Sequence, residues 1–275
     1  MQVVFWGTRG SIPVSGARNV EFGGNTPCLQ IRLESSTDAL IIDSGSGIRE
    51  LGLQLVRTAD LHSRSIHLFL THAHWDHIQG FPFFVPAYVP TFKLDIYCTK
   101  DAKAILENQM RTPFFPVGLE AMLAKRSFHH LGAEEVVTIG EATVRHVPLP
   151  HPQESTAFRI DERGRSIVFA TDTEHNPAHL NESLAALARG ADILIYDAQY
   201  TSEEYKAGKQ GWGHSTYSEA IKLADAAGVR RLVLYRPDPG HDDATLRAIE
   251  AAAARDRPGT ISARDGLVLD PAEEL

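Results

Sequence analysis

The chain has 275 residues, 43% of them hydrophobic, and this length can bury a large core as one large domain or two small ones; we expect a single domain spanning residues 1–275. Its formal net charge of −8 provides no general basic field for a nucleic-acid backbone, which disfavours large nucleic acids as partners. Cys28 and Cys98 have no CxxC spacing, so neither a disulfide framework nor a thiolate metal site is indicated.

The N-terminal residues 3–6 are apolar and predict a first strand, which ends at the glycine- and proline-containing segment 7–13. The sequence has no basic leader and no run of 18 apolar residues. We therefore expect a soluble, cytoplasmic protein without membrane association. Arg9 lies in segment 7–13 and would either face a substrate anion or bond to nearby carbonyls.

Two further strands are predicted at residues 27–33 and 39–42, and the second leads directly into Asp43. Residues 47–57 carry apolar side chains at helical spacing, which predicts a helix covering one face of a sheet. Asp43 should therefore lie at a strand end.

A buried strand is predicted at residues 66–70, followed at once by Thr71-His72-Ala73-His74-Trp75-Asp76-His77. Three histidines and one aspartate within six residues supply the nitrogen and oxygen donors that zinc, manganese and iron accept. A lone histidine would be typical of a polar loop, whereas His-x-His-x-Asp-His after a buried strand indicates a metal site.

The next segment, residues 80–90, is aromatic and proline-rich and would form either a wall over the site or ordinary core. A strand at 94–98 and a helix at 101–110, with Asp101 as its N-cap, follow. The second half repeats the pattern of strands that end at polar residues. These strands are predicted at 142–149 before His151, at 156–160, at 166–170 before Asp172, and at 192–196 before Asp197.

The C-terminal part contains helices at 180–189 and 243–255, a strand at 231–235 and a terminal strand at 260–269. Thr216-Tyr217-Ser218-Glu219 has the capping-box pattern, which places His214 at the N-terminus of another helix. Because strands dominate each half with helices between them, the pattern favours an α/β fold. A four-layer αββα sandwich of two stacked sheets fits it better than a doubly wound parallel sheet.

Several motifs resemble the metallo-β-lactamase superfamily, in its ribonuclease Z and phosphodiesterase-like branch. They are Gly7 to Pro13, Gly23-Gly24-Asn25-Thr26, Thr71 to His77, His151, Thr171-Asp172, Asp197-Ala198-Gln199-Tyr200 and Gly213-His214-Ser215-Thr216. The resemblance implies an αββα sandwich of the metallo-β-lactamase type. It also implies a metal-dependent hydrolase that binds one or two divalent ions, with zinc favoured and manganese or iron as alternatives.

Site roles follow from the same resemblance. His72, His74 and His151 would hold one metal, Asp76 and His77 the other, and Asp172 would bridge them. Asp43 would orient a ligand histidine. His214 would donate a proton to the leaving alkoxide, and Asp76 would double as proton acceptor for the attacking water. Six other histidines have no partner at ligand spacing and are expected on the surface or in strands: His62, His67, His129, His130, His146 and His179.

One position departs from the family pattern. Arg236 stands where a final histidine ligand is usual, and a guanidinium does not ligate metals because it stays protonated. Three outcomes follow: the second metal binds weakly, His241 or Asp238 replaces the lost ligand, or Arg236 pairs with Asp76 or Asp172 in place of that metal. We also assign Arg236 to substrate binding.

The leading functional prediction is a phosphodiesterase acting on a small, cyclic nucleotide-like diester. The segment between His151 and Asp172 is too short for the tRNA-gripping arm of many ribonuclease Z enzymes, so we expect tRNA to be an unlikely partner. One alternative is a non-catalytic or weakly active ligand-binding member of the fold, and another is mononuclear-iron oxidation of a thiol. The substrate is expected to be a small molecule, and a homodimer is left open.

Overall fold

The computed structural model describes residues 1–58 and 65–273. Within these ranges the strands are β1 Gln2–Gly7, β2 Cys28–Arg32, β3 Ala39–Ile42, β4 Ser65–Phe69, β5 Lys93–Cys98, β6 Lys125–His130, β7 Val137–Ile139, β8 Ala142–Leu149, β9 Ser155–Glu162, β10 Arg165–Ala170, β11 Ile193–Asp197, β12 Arg231–Tyr235, β13 Ile261–Ser262 and β14 Val268–Leu269. The α-helices are α1 Ile48–Thr58, α2 Trp75–Ile78, α3 Ala102–Gln109, α4 Glu182–Ala188, α5 Ser202–Glu204, α6 Tyr217–Ala226 and α7 Asp243–Asp256. His62, predicted as a surface or strand residue, lies outside the described residues.

The described strands form two seven-stranded sheets of mixed direction. The first has the order β14-β1-β2-β3-β4-β5-β6 and the second β13-β12-β11-β10-β9-β8-β7. Strands β3 to β6 run parallel in the first sheet, and β10 to β13 run parallel in the second. The carboxyl ends of parallel strands meet at one edge of a sheet, so residues that follow β3, β4, β10, β11 and β12 can converge there.

The core lies between the two sheets. Phe5, Ile42 and Phe69 of the first sheet and Phe169 and Tyr235 of the second belong to one buried apolar cluster. Tyr235 and Phe169 pack edge to face, with ring centroids 5.2 Å apart. This contact joins the strand that precedes Arg236 to the strand that precedes Asp172, and so the core fixes the spacing of two site residues.

Helices cover the outer face of each sheet. Apolar residues of α1 and α3 pack in a second cluster against the outer face of the first sheet, and those of α4, α6 and α7 pack against the second. Asp101 caps α3 as predicted, since its side chain accepts a hydrogen bond from the Ala104 amide. The predicted αββα sandwich is confirmed. Within the described ranges, no helix has the length and apolarity needed to cross a membrane.

Two local predictions need correction or a choice, and two strands were missed. The predicted single strand at 260–269 is wrong: β13 pairs with β12 in the second sheet, whereas β14 pairs with β1 in the first, so the chain crosses between sheets. Strands β6 and β7 were not predicted. In segment 80–90, Phe81 and Phe84 are buried in the core on the outer face of the first sheet, whereas Phe83 is exposed, at 56%.

Candidate metal centre

The site is built from residues that directly follow strands. Asp43 follows β3, Asp172 comes two residues after β10, and Arg236 follows β12. All three adopt left-handed backbone conformations, with φ values of 61°, 58° and 65°. Non-glycine residues seldom occupy this region, and when they do the surroundings must hold them there. Three residues of the site, each at or near a strand end, therefore have unusual backbone conformations.

Four ligand-type side chains converge at this edge: His72, His74, His151 and Asp172. One ligand atom from each lies within 4.8 Å of the others. The Oδ1 atom of Asp172 lies 3.6 Å from His72 Nε2 and 3.7 Å from His151 Nε2. The chain brings these residues together from two sheets, because His72 and His74 follow β4 while His151 follows β8.

Contacts on the far side of two imidazoles fix their orientation. His151 Nδ1 lies 2.8 Å from the Gly213 carbonyl oxygen, to which an Nδ1–H group donates. His72 Nδ1 lies 3.0 Å from the hydroxyl of Thr71. Such partners set the tautomer of a ligand histidine and leave Nε2 free to coordinate. His74 contacts Gln153 through Nε2, and its Nδ1 faces His151.

Burial keeps two of these imidazoles neutral. It lowers the pKa of His72 well below the ordinary value, and it lowers the pKa of His151 as well, although Asp172 opposes the shift in both cases. A neutral imidazole has a lone pair to offer a metal, whereas a protonated one has none. The protonation states of His72 and His151 at neutral pH are therefore those of metal ligands.

The residues fit a divalent cation. Among the described residues, neither His72 Nε2 nor Asp172 Oδ1 has a hydrogen-bond partner, although both atoms are buried. Buried polar atoms without partners are costly, and a metal ion bound between these two would satisfy both. Three imidazoles and one carboxylate form a donor set typical of zinc.

Asp43 supports this loop from beneath. Its Oδ2 atom lies 2.8 Å from His77 Nδ1, and its Oδ1 atom accepts hydrogen bonds from the amide and hydroxyl of Thr71. Asp43 is fully buried. It thus holds His77 and Thr71, in the supporting role that the resemblance implies.

Arg236 lies beside the imidazole cluster and is 2% exposed. Its Nη2 atom is 2.5 Å from Asp76 Oδ2, and its Nε atom is 2.8 Å from Asp172 Oδ2. Nη1 donates to the Gln199 side chain. The two carboxylates outweigh the effect of burial and raise the pKa of Arg236, so the guanidinium is a permanent charge. Of the three predicted outcomes for Arg236, this geometry matches the pairing one.

His77 completes this second group. Its Nε2 atom lies 3.1 Å from Asp172 Oδ2 and 3.4 Å from Asp76 Oδ2. Burial opposes protonation of His77, but the surrounding carboxylates outweigh it and raise its pKa well above the ordinary value. Asp76 also accepts a hydrogen bond from the Ser11 amide. His77 therefore contacts Asp76 and Asp172, and Asp76 contacts Arg236.

His214 stands next to the cluster. Its ring centroid is 5.3 Å from that of His151, and its Nδ1 atom lies 2.9 Å from Asp197 Oδ2. Asp197 also accepts from three backbone amides, those of Asp172, Gln199 and Ser215. The sequence predicted Asp197 at a strand end but assigned it no role in the site. Its position directly after a predicted buried strand was the feature that could have indicated one.

Three other residues with proposed site roles lie elsewhere. Arg9 donates to the carbonyl oxygens of His241 and Gly23 and is fully buried, so it bonds nearby carbonyls and does not face a substrate. His241 Nε2 contacts Glu204, and Asp238 accepts from the Gly240 amide. Neither His241 nor Asp238 replaces a ligand beside Asp76.

An open cleft of about 1010 Å³ adjoins the cluster at His151. Its lining includes Glu174, His175 and Tyr205. The Glu174 carboxylate accepts from the Tyr205 hydroxyl and from the amides of Gly211 and Gly213, and so holds the loop that precedes His214. Small-molecule sites usually occupy roughly 300–1,000 Å³, so this cleft can admit a ligand of nucleotide size.

The family model and the similar proteins that match this chain agree on one superfamily. The model of the beta-lactamase superfamily domain matches residues 39–235. A protein of Synechococcus sp. (strain WH7803) named Ribonuclease Z is 25% identical, and the alignment covers 98% of this chain and 96% of that protein.

Two solved structures have the same fold. The short form of human tRNase Z is 20% identical with a TM-score of 0.69, over 99% of this chain and 100% of that one. A diphosphatase of the PhnP family is 19% identical with a TM-score of 0.71, over 98% and 97%. The predicted resemblance to this branch of the superfamily is confirmed.

These matches overturn one prediction. We expected tRNA to be an unlikely partner, yet a relative aligned over nearly the whole chain is named Ribonuclease Z, and a tRNase Z structure shares the fold. The expectation was wrong because it depended on two weak premises. A missing arm removes only one way of holding RNA, and a net charge of −8 is an average that does not describe local surfaces.

Proposed function

The chain belongs to the beta-lactamase superfamily, whose domain matches residues 39–235, and from this premise we propose that it is a metal-dependent hydrolase of phosphodiester bonds. The observation that carries the proposal is the convergence of three imidazoles and Asp172. Two buried atoms of this cluster, His72 Nε2 and Asp172 Oδ1, have no hydrogen-bond partner in the part of the chain that the structure describes. These two atoms lie 3.6 Å apart, so that one bound cation would satisfy both. Beside the cluster stands His214, which is paired with the carboxylate of Asp197.

We propose that His72, His74, His151 and Asp172 hold a divalent cation, with zinc favoured by the donor set. When bound, such an ion lowers the pKa of coordinated water and polarises a phosphoryl oxygen. Binding of the ion requires neutral imidazoles, which burial provides for His72 and His151. The Gly213 carbonyl and Thr71 keep the coordinating nitrogens directed inward.

His214 is the proposed proton donor to the leaving oxygen. Asp197 accepts from Nδ1, which orients the ring and leaves Nε2 for the substrate. His214 is 7% exposed, and its ring centroid lies 5.3 Å from that of His151, which lines the cleft. A general acid in this position contributes about 10²–10⁴-fold to the rate with a poor leaving group.

Asp76 was predicted as a metal ligand and as proton acceptor for the attacking water. Burial opposes ionisation of Asp76, but Arg236 and His77 outweigh it and lower the pKa of this carboxyl. A carboxylate with a lowered pKa is a weak base, and its Oδ2 atom already accepts from Ser11 and Arg236. The geometry supports a role for Asp76 in holding Arg236, and we propose that role for it.

The proposed substrate class is a small nucleotide diester, cyclic or linear, since the cleft beside His151 has a suitable volume. A second candidate is the 3′ end of a precursor tRNA, which the relatives named Ribonuclease Z and tRNase Z favour. Both candidate substrates would be cleaved at a phosphodiester bond, and they differ only in the groups attached to that diester.

The test uses metal-free protein reloaded separately with zinc, manganese and iron. Each form is assayed with an activated aryl phosphodiester, cyclic nucleotides and a precursor tRNA transcript. We expect metal-dependent turnover that His72→Ala abolishes. His214→Ala should slow the poor leaving groups by about 10²–10⁴-fold while affecting the activated diester little.

His129→Ala is the matched control, because His129 is a histidine paired with a carboxylate, Asp95, on β6 and β5 away from the cluster. It should retain full activity. If no metal supports turnover of any of these substrates, the chain is a ligand-binding member of the fold and the proposal fails. Oxygen uptake with a thiol by the iron form would instead indicate oxidation.

A further inference from the structure

We propose that Arg236 is a built-in cation that takes the place of a second metal ion, so that the site holds one divalent ion per chain. This inference rests on the proposed function only in assuming that the imidazole cluster binds a metal. The charges arranged around Asp172 are the evidence for it.

The two oxygens of Asp172 divide the site into two halves. Oδ1 faces His72 and His151 and, among the described residues, has no hydrogen-bond partner. Oδ2 faces His77 and Arg236 at 3.1 Å and 2.8 Å. The second half therefore contains a side-chain cation, the guanidinium of Arg236.

The second half contains the side chains that a metal would need. Asp76, His77 and Asp172 offer two carboxylates and one imidazole, with His77 Nε2 lying 3.4 Å from Asp76 Oδ2 and 3.1 Å from Asp172 Oδ2. In a dinuclear site these groups would surround a dication, and a bridging carboxylate would offset the charge between two ions. Here the guanidinium lies against both carboxylates instead.

Arg236 cannot leave this position easily. It is 2% exposed, its amide donates to the Thr8 carbonyl, and Nη1 donates to Gln199. Gly10 packs against its side chain, since a Cβ atom at Gly10 would lie 3.1 Å from Arg236 Cγ. A second dication would have to displace a buried, permanently charged group from two carboxylates and leave that charge without a partner.

The placement of Arg236 also has a consequence for the reaction. Nη1 lies 3.4 Å and 3.3 Å from the two ring nitrogens of His214, so the fixed charge stands beside the proposed proton donor. A guanidinium supplies positive charge and hydrogen bonds but generates no nucleophile, because it neither binds nor acidifies water as a metal does. The one bound ion would therefore have to serve for water activation.

The decisive measurement is the number of zinc ions per chain. Protein stripped of metal is reloaded with excess zinc, desalted and analysed by mass spectrometry of the metal against protein concentration. We expect one zinc ion per chain in the unmodified protein. Arg236→His removes the cation and adds a ligand, so it should raise the count to two, whereas Arg236→Lys keeps a cation and should leave it at one.

A second variant keeps the test valid if substitutions at Arg236 do not fold. Asp76→Asn should leave the count of the unmodified protein at one, because Asp76 faces Arg236 and not the imidazole cluster. In the Arg236→His background the same change should return the count from two to one. His151→Ala should remove tight zinc from the unmodified protein.

The inference is overturned if the unmodified protein holds two tightly bound zinc ions, if Asp76→Asn lowers its count, or if folded Arg236→His still binds one. These results are independent of the proposed function, since no substrate is present. A protein with one zinc ion and no hydrolysis would refute the proposed function alone.

Discussion

Gly213 allows a sharp test of how the backbone positions a candidate metal ligand. Its φ is 86°, and its carbonyl oxygen is the partner of His151 Nδ1 at 2.8 Å. A Cβ atom at this position would lie 2.2 Å from His151 Nδ1 and 2.5 Å from Pro152 Cδ. Both distances are shorter than any real Cβ contact, so Gly213→Ala must move either His151 or the loop.

The expected cost of Gly213→Ala has two parts. An alanine in the left-handed region costs about 1–2 kcal/mol in the free energy of unfolding. Displacing His151 and its carbonyl partner adds a loss of about 10–100-fold in metal affinity, the usual effect of disturbing the contacts that orient a ligand. That loss corresponds to about 1.4–2.8 kcal/mol in the free energy of zinc binding.

Gly211→Ala is a closely matched control. Gly211 has a φ of 80°, and its amide donates to the same Glu174 carboxylate as the amide of Gly213. No described atom lies within 4 Å of a Cβ built there. The control therefore has the backbone cost without the contact to His151.

Two assays separate the two parts. Urea unfolding of the metal-free proteins should show both variants destabilised by about 1–2 kcal/mol, with Gly213→Ala at least as affected. Competition with a zinc chelator should show weakened binding for Gly213→Ala only. Equal zinc affinity in the two variants would refute the view that Gly213 is needed for the approach of His151.

Three further predictions concern charge, the acid pair and the core. Burial opposes ionisation of Glu162, but hydrogen bonds from the Ser35 hydroxyl and from two backbone amides outweigh it and lower the pKa of Glu162. Glu162→Gln should therefore cost about 1–2 kcal/mol in the free energy of unfolding, measured in urea at pH 7. This difference should disappear as the pH falls through the folded-state pKa of Glu162, which lies below the ordinary value of about 4.3. A difference that does not shrink as the pH falls would contradict this. Asp197→Asn should lose about 1–3 kcal/mol of stability and slow only substrates whose cleavage needs His214, as kinetics with good and poor leaving groups would show. Phe169→Ala should cost about 3–5 kcal/mol in the same unfolding assay, because Phe169 is fully buried between the sheets.

The sequence predicted most of the strands that carry the site, for a physical reason. Strands β3, β8 and β12 are apolar or alternating runs, and buried runs bounded by polar residues are easily recognised. Strand β6, with the sequence KRSFHH, was missed because it lies at a sheet edge and is largely half-buried. Its pairing with β5 comes from the tertiary fold, which no local pattern records.

The same limit applies to Arg236. The sequence supported three outcomes for this residue, and the choice among them depends on distances between groups that follow three separate segments of chain. Asp76, Asp172 and Arg236 come from two sheets, and only their packing decides whether the guanidinium meets one carboxylate, both or neither. The role of Asp197 was undetermined for the same reason, since it depends on where His214 lies.

The backbone at the site explains why these positions hold charged side chains. Asp43, Asp172 and Arg236 adopt conformations that glycine would adopt without strain, at a cost of about 1–2 kcal/mol each. Each is held by its own amide, which donates to the Phe69 carbonyl, the Asp197 carboxylate and the Thr8 carbonyl respectively. Because glycine would satisfy the same backbone bonds at lower cost, the strain is explained only by what the side chains contact: His77, the imidazole cluster and the two carboxylates.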